Sequence, residues 1–243
     1  MSKNTSSYVF ALAIVLAAFL LGNAYVNRSK TKGNISVTGL GTKNFTSDLI
    51  VWGGSFSTES KDLKTAFSKL KRDRKIITTY FKSRGVKEND IVFDAINSRK
   101  NIKRNYTDEG KFKGEEFLGY ILTQNLSIES KEVDKITKLS REITELLNKG
   151  IRFYSNQPRY YYTKLADLKI EMISKASEDA HLRAEKIAQN SGGLLGTLRS
   201  AKMGIFQITG QNSNEDYSWG GAFNTSSIKK TASITMKLTY KIK

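Results

Sequence analysis

The chain has 243 residues, 26% charged and 39% hydrophobic, a composition that excludes a wholly disordered chain and allows one sizeable core or two small ones. Cysteine is absent and histidine occurs once, which excludes disulfides, thiol catalysis, thiolate metal sites and two-histidine metal sites. A net charge of +17 favours anionic partners (nucleic acid, phospholipid headgroups, acidic polysaccharide), set against the plainer reading of a basic surface that serves solubility.

Tyr8 to Leu21 is an unbroken apolar run that extends through Val26. Residues 8–26 are just long enough to cross a bilayer as a helix, which needs about 20 residues. Gly22-Asn23-Ala24 is also a small-x-small site, so residues 1–26 read either as an uncleaved anchor or as a signal peptide cut after Ala24. Arg28, Lys30 and Lys32 follow directly, and their charge leaves the membrane orientation undecided. Residues 27–33 form a polar linker, and residues 34–243 the folded domain.

Within that domain Ile35 and Val37 alternate with small polar residues and predict a strand. Leu49 to Ser57 predicts a second strand, with a bulge at Gly53-Gly54. Ser60 is placed to cap a helix running to Arg84, with Leu63, Ala66, Phe67, Leu70, Ile77 and Phe81 on its apolar face and Gly85 as its stop. Its other face is basic and includes Lys71, Arg72 and Lys75. Ile91–Ile96 and Phe117–Ile128 predict strands joined by a long polar tip over 98–115. Ser130 is placed to cap a helix with an apolar stripe of Val133, Ile136, Leu139, Ile143, Leu146 and Leu147, ending at Lys149-Gly150. Ile151 to Tyr162 predicts a strand.

A long helix is then predicted from Leu165 to Asn190, roughly 39 Å at about 1.5 Å per residue. Alanine recurs at 176, 180, 184 and 188, one ridge of that helix, so it should lie unusually close to the sheet it covers. Gly192-Gly193 closes it, and Ala201–Ile208 and Thr231–Ile242 are closing strands. The resulting expectation is an α+β fold: antiparallel sheet covered by three long helices, order ββαββαβαββ, after an N-terminal hydrophobic helix. "Strand, helix, Gly, β-branched residue, strand" occurs at 49–96 and again at 117–162, a loose echo of duplicated topology.

Four stretches carry a resemblance: Ile35-Ser-Val-Thr-Gly-Leu-Gly41, Gly85-Val-Lys-Glu-Asn-Asp-Ile91, Gly119-Tyr120, and the alanine ridge ending Gly192-x-x-Leu195-Gly196. In this order, over about residues 34–243, they resemble the SIMPL-domain family, which includes bacterial periplasmic immunogenic proteins and an animal interaction partner of a pelle-like kinase. One departure is visible, since relatives often carry proline before the aspartate of the second strand and this chain has Ser47-Asp48. The resemblance implies an exported protein. Some relatives assemble into large ring-like or channel-like oligomers, and links of the group to envelope or oxidative stress have been proposed. No catalytic residues are agreed for the family, so none is carried over.

Chemistry is hard to find in the residues themselves. Gly39-x-Gly41 lacks the third glycine and the following helix of a dinucleotide fingerprint, and reads as a turn between strands. His181 lies on the helix that should pack on the sheet, and Glu178 and Asp179 diverge by about 100° around that helix. No catalytic, metal or cofactor-binding residue is expected. Two candidate interaction patches remain: the basic residues Lys71, Arg72 and Lys75, and the loop 209–227 with Tyr217, Trp219 and Phe223. The loop aromatics either anchor a neighbouring subunit or ligand, or fold back on their own sheet.

The expectation is therefore a non-enzymatic, exported or membrane-anchored envelope protein that associates with itself, facing the periplasmic side. A monomeric module binding anionic lipid or envelope polymer through basic helix faces is the first alternative. An enzyme whose site is not legible from sequence is the second, and nucleic acid is the poorest partner.

Overall fold

Apolar residues recur at period two in the strand segments and at period 3.6 in the helical ones, and these periods divide the folded part into two sheets with helices on one face each. The computed structural model describes residues 3–30, 33–216 and 218–243. Helix α1 (Lys3–Lys30) comes first, and the apolar segment Ser7–Val26 within it is exposed along its whole length. The strands that follow form two separate antiparallel sheets.

The first body joins the two ends of the domain. Strand β1 (Asn34–Thr46) pairs along its full length with β10 (Lys229–Ile242), which also pairs with β8 (Leu195–Met203) and β9 (Gln207–Gly210). Helix α4 (Leu165–Asn190) covers this sheet, and Ala176, Ala180, Ala184 and Ala188 are all buried beneath it. The partner of that ridge is Gly39-x-Gly41, which lies inside β1 and not in a turn. A Cβ on Gly39 would lie 2.2 Å from the carbonyl oxygen of Ala176, and one on Gly41 would lie 2.4 Å from that of Met172. Alanine on the helix and glycine on the strand thus bring two backbones together, an approach that a side chain at either glycine would block.

The second body consists of β2 (Leu49–Ser60), α2 (Leu63–Ser83), β3 (Ile91–Phe93), β4 (Asn97–Tyr106), β5 (Phe112–Ser130), α3 (Val133–Glu142), β6 (Phe153–Ser155) and β7 (Arg159–Tyr161). Its central sheet has the order β3-β5-β2-β6, so β2-α2-β3 and β5-α3-β6 interlock, each short strand pairing with the other unit's long strand. This is the split βαβ arrangement of ferredoxin-like folds, and it gives the echo between 49–96 and 117–162 a structural meaning. Each unit turns at a glycine of positive φ, Gly85 (79°) and Gly150 (74°), followed by Val86 or Ile151 in the core. Large side chains fill this core, among them Trp52, Phe56, Phe81, Leu70 and Ile77.

Several expectations need correction. The strand order after α1 is ββαβββαββαβββ, because Asn97–Tyr106 is a strand and the polar tip shrinks to Thr107–Lys111. Pairing along β4 and β5, and not burial, holds that segment. Ile151–Tyr162 holds two short strands separated by Asn156-Gln157-Pro158, since proline lacks the N–H a ladder needs. Ala201–Ile208 is likewise divided between β8 and β9. The second of the three expected long helices, α3, has only 10 residues before a 3-10 segment, Ile143–Lys149, takes over. No bulge occurs at Gly53-Gly54, where the β2–β5 register is continuous. A Cβ on Gly53 would meet the Leu126 carbonyl at 2.1 Å.

Caps differ as well. Asp62, not Ser60, caps α2, accepting from Thr65 N at 2.8 Å. Ser130 Oγ accepts from Glu132 N ahead of α3, whose N-cap residue is Glu132. Leu63 and Phe67 on α2 and Leu147 after α3 are exposed, while Tyr80 and Asp73 occupy the buried side of α2.

The bodies meet at the far end of β1 from Asn34. The row of three tyrosines alternates between them: Tyr160 is buried in the second core, and the Tyr162 ring packs 4.8 Å from Phe45 of the first. Asp48 N donates to the Tyr161 carbonyl, and both Asp48 oxygens accept from Thr163 (N and Oγ1, each 2.7 Å). Ser47 N donates to the Ile228 carbonyl at 2.9 Å. A proline at 47 could not make that bond, which gives the sequence departure there a local reason.

Candidate functional site

The 209–227 loop carries three of the expected contact residues, Tyr217, Trp219 and Phe223. It is pinned by polar side chains that sequence reading did not single out. Buried Gln207 donates through Nε2 to the Ser218 carbonyl (2.8 Å) and accepts from Ala222 N (2.5 Å). Glu215 accepts from Gly210 N at 3.0 Å and from Asn224 Nδ2. The loop also reaches the second body, where Tyr160 N donates to the Thr225 carbonyl.

On this frame Trp219 stands 95% exposed beside a groove of about 620 Å³ lined by Leu40, Gly204, Ile205, Gln207, Ser218, Ser233 and Thr235. Phe223 is half exposed, and its backbone forms an isolated parallel bridge with Ile208. Tyr217 lies outside the described residues.

Lys230 is buried at the junction, 2% exposed, and donates to the Tyr160 carbonyl at 2.5 Å. Burial lowers its pKa to about 8, against a smaller raising influence from Glu215. This lysine ties β10 to β7. Its ammonium is aimed at a carbonyl inside the fold.

The basic patch is where expected, on the outside of α2. Lys71, Arg72 and Lys75 are exposed; Arg72 pairs with Asp73 at 3.2 Å, while Lys71 and Lys75 enter no ion pair among the described residues. Structure does not bring this patch together with the loop, since α2 packs on the second sheet and the loop leaves the first.

The feature missed in sequence is the β4–β5 arm. Beyond Gly119 its two strands leave the sheet and project uncovered. Register places Ile102 opposite Phe117 and Tyr106 opposite Phe112, all on one face and all 42–60% exposed. Tyr120 packs on Phe117 with ring centroids 5.2 Å apart, and Arg104 Nε pairs with Glu115 at 3.1 Å along the same face. The signal is the period-two spacing of Ile102, Arg104 and Tyr106, obscured by the polar Lys103 and Asn105 between them.

A polar cleft of about 710 Å³ on the back of the second sheet is lined by Asp94, Asn125, Ser127, Asn156, Arg159 and Ser226, among others, over a floor of Gly53. His181 Nδ1 lies 3.2 Å from the Tyr240 hydroxyl, a contact between α4 and β10. Among the described residues no group of three or more His, Asp or Glu side chains is arranged to hold a metal ion.

Comparison with curated proteins returns no match. A family model does match, over residues 35–240: SIMPL, described as "Protein of unknown function (DUF541)". That span takes in both bodies, from the glycine strand β1 through the alanine helix to β10, so the chain belongs to the SIMPL family.

Proposed function

We propose that this protein is a non-enzymatic module of the cell envelope, tethered by α1 with its domain on the extracytoplasmic side, and that its work is self-association through the β4–β5 arm. One observation carries the reading. A two-stranded ribbon is marginally stable in water without a covering layer, yet this one turns Ile102, Tyr106, Phe112 and Phe117 outward together. A second copy presenting the same face would cover them in an isologous contact, with the Arg104–Glu115 pair at its rim. The non-enzymatic part is supported by the engagement of the obvious chemical groups in structural bonds: His181 with Tyr240, Asp48 with Thr163, Lys230 with Tyr160.

Sedimentation of Asn34–Lys243 tests this. The apolar window of α1 is 0% buried, so its removal leaves both cores intact. The expected mass is a multiple of the monomer, falling to the monomer in an Ile102→Ser/Phe117→Ser variant with unchanged circular dichroism. A monomer at every concentration overturns the proposal.

A second reading rests on Lys71 and Lys75, which stand exposed on α2 and enter no ion pair among the described residues. It predicts retention on anionic but not neutral vesicles, weakening as salt rises. Equal retention on both kinds would remove it.

A further inference from the structure

The first body has a pole that the tether brings against the membrane. The apolar run ends at Val26 and α1 at Lys30, while β1 begins at Asn34. Four helical residues rise about 6 Å. The four further steps to Asn34 cover at most roughly 14 Å. The start of β1 is therefore held within roughly 20 Å of the hydrocarbon edge, part of which the headgroup layer fills. Opposite it, Thr46 lies roughly 40 Å further along the strand at about 3.3 Å per residue.

What stands at this pole follows from backbone pairing. Asn34 pairs with Lys241, and Ile242 N donates to the Gly33 carbonyl. Leu194 and Lys243 exchange backbone hydrogen bonds, which brings the α4–β8 turn to the same end. Leu194 is 69% exposed there, and Ile187 on the last turns of α4 is 46% exposed. Lys186, Lys241 and Lys243 fall in this region, with Glu185 beside Lys186 on α4 and no Asp or Glu in 186–200 or 236–243.

We propose that this pole is a second membrane contact, with Leu194 and Ile187 entering the headgroup–acyl boundary of the bilayer that α1 crosses and Lys186, Lys241 and Lys243 resting on anionic phospholipid headgroups. Exposed leucine and isoleucine ringed by lysine is the chemistry of interfacial binding. The short linker supplies the high local concentration that such a small patch needs. The inference rests on α1 staying in the membrane. It moves the expected lipid contact from α2, which packs on the second body, to the turn after α4.

Because the chain lacks cysteine, single labels can be placed cleanly. Full-length Leu194→Cys and, as a distal control at the arm tip, Glu109→Cys would carry a nitroxide in vesicles of phosphatidylcholine with phosphatidylglycerol. The ratio of oxygen to nickel-complex accessibility is expected to be severalfold higher at 194 than at 109. It should fall toward the control value in phosphatidylcholine alone, and in a Lys186→Glu/Lys241→Glu/Lys243→Glu variant whose circular dichroism is unchanged. A water-like ratio at 194 in anionic vesicles overturns the proposal, as does a membrane-like ratio indifferent to both lipid charge and the triple substitution. Alkaline carbonate extraction of cells tests the anchor separately. Release of the protein would remove the tether reading, whereas the vesicle measurement, where α1 is retained by design, reports on the pole alone.

Discussion

The body under α4 brings two backbones together along its alanine ridge, the body under α2 and α3 interlocks large side chains, and the two contacts respond to opposite kinds of change. Under α4 the contact is backbone against backbone, with Ala176 and Ala180 meeting Gly39 and Gly41. Along that ridge little apolar area is available per residue, and dispersion at short range does the holding there. In the second body aromatic rings pair edge to face, Trp52 with Phe81 at 5.9 Å and Phe56 with Phe93 at 6.2 Å. Here area is plentiful and spacing follows the rings. Closeness in one body and bulk in the other do the same task.

The largest expected effect comes from removing bulk. Phe56→Ala, at a fully buried position, should lower stability by about 3–5 kcal/mol in urea unfolding. Adding bulk to the other body comes next. Gly39→Ala forces α4 off the sheet and should cost about 1–3 kcal/mol, although alanine favours folded chains elsewhere. A neutral Gly39→Ala would show that the close approach contributes nothing.

The junction between the bodies gives a smaller, pH-dependent effect. Lys230 titrates near 8 when folded and near the ordinary lysine value of 10.5 when unfolded. Between those values the unfolded chain binds more protons, so stability should rise with pH, by at most about 1.4 kcal/mol per pH unit. Lys230→Met should flatten that slope; an unchanged slope would assign it to other groups. Smallest of all, Ile102→Ser on the arm should change monomer stability by no more than about 0.5 kcal/mol, as expected of an exposed position. A large loss would mean that the arm belongs to the monomer's own core.

How much of this was legible depended on whether burial left a period in the sequence. The alanine ridge did, and α4 spans the residues its spacing predicts. The glycines facing it suggest a turn in the sequence, because glycine signals turns and close approaches alike. The β4 strand looks like a polar tip there because both its faces are wet, so no buried face marks it out. Gln207, Glu215 and Asn224 gave no warning, since side chains that bond a loop's own backbone follow no periodicity. Trp219 stands out in the sequence as an aromatic in a long polar loop, and the structure places it at a groove. Of the expected contact residues, Lys71, Arg72 and Lys75 are on the solvent face of α2 but apart from the loop.

The two bodies also differ in completeness. The first closes on itself along β1 and β10, while the second extends an arm whose apolar face is left to be covered. Hydrogen exchange of Asn34–Lys243, measured at concentrations above and below the association midpoint, compares them directly. The account predicts that amides of 97–119 exchange severalfold more slowly in the concentrated sample, while those of α4 exchange alike in both. Equal exchange of 97–119 at all concentrations would contradict it.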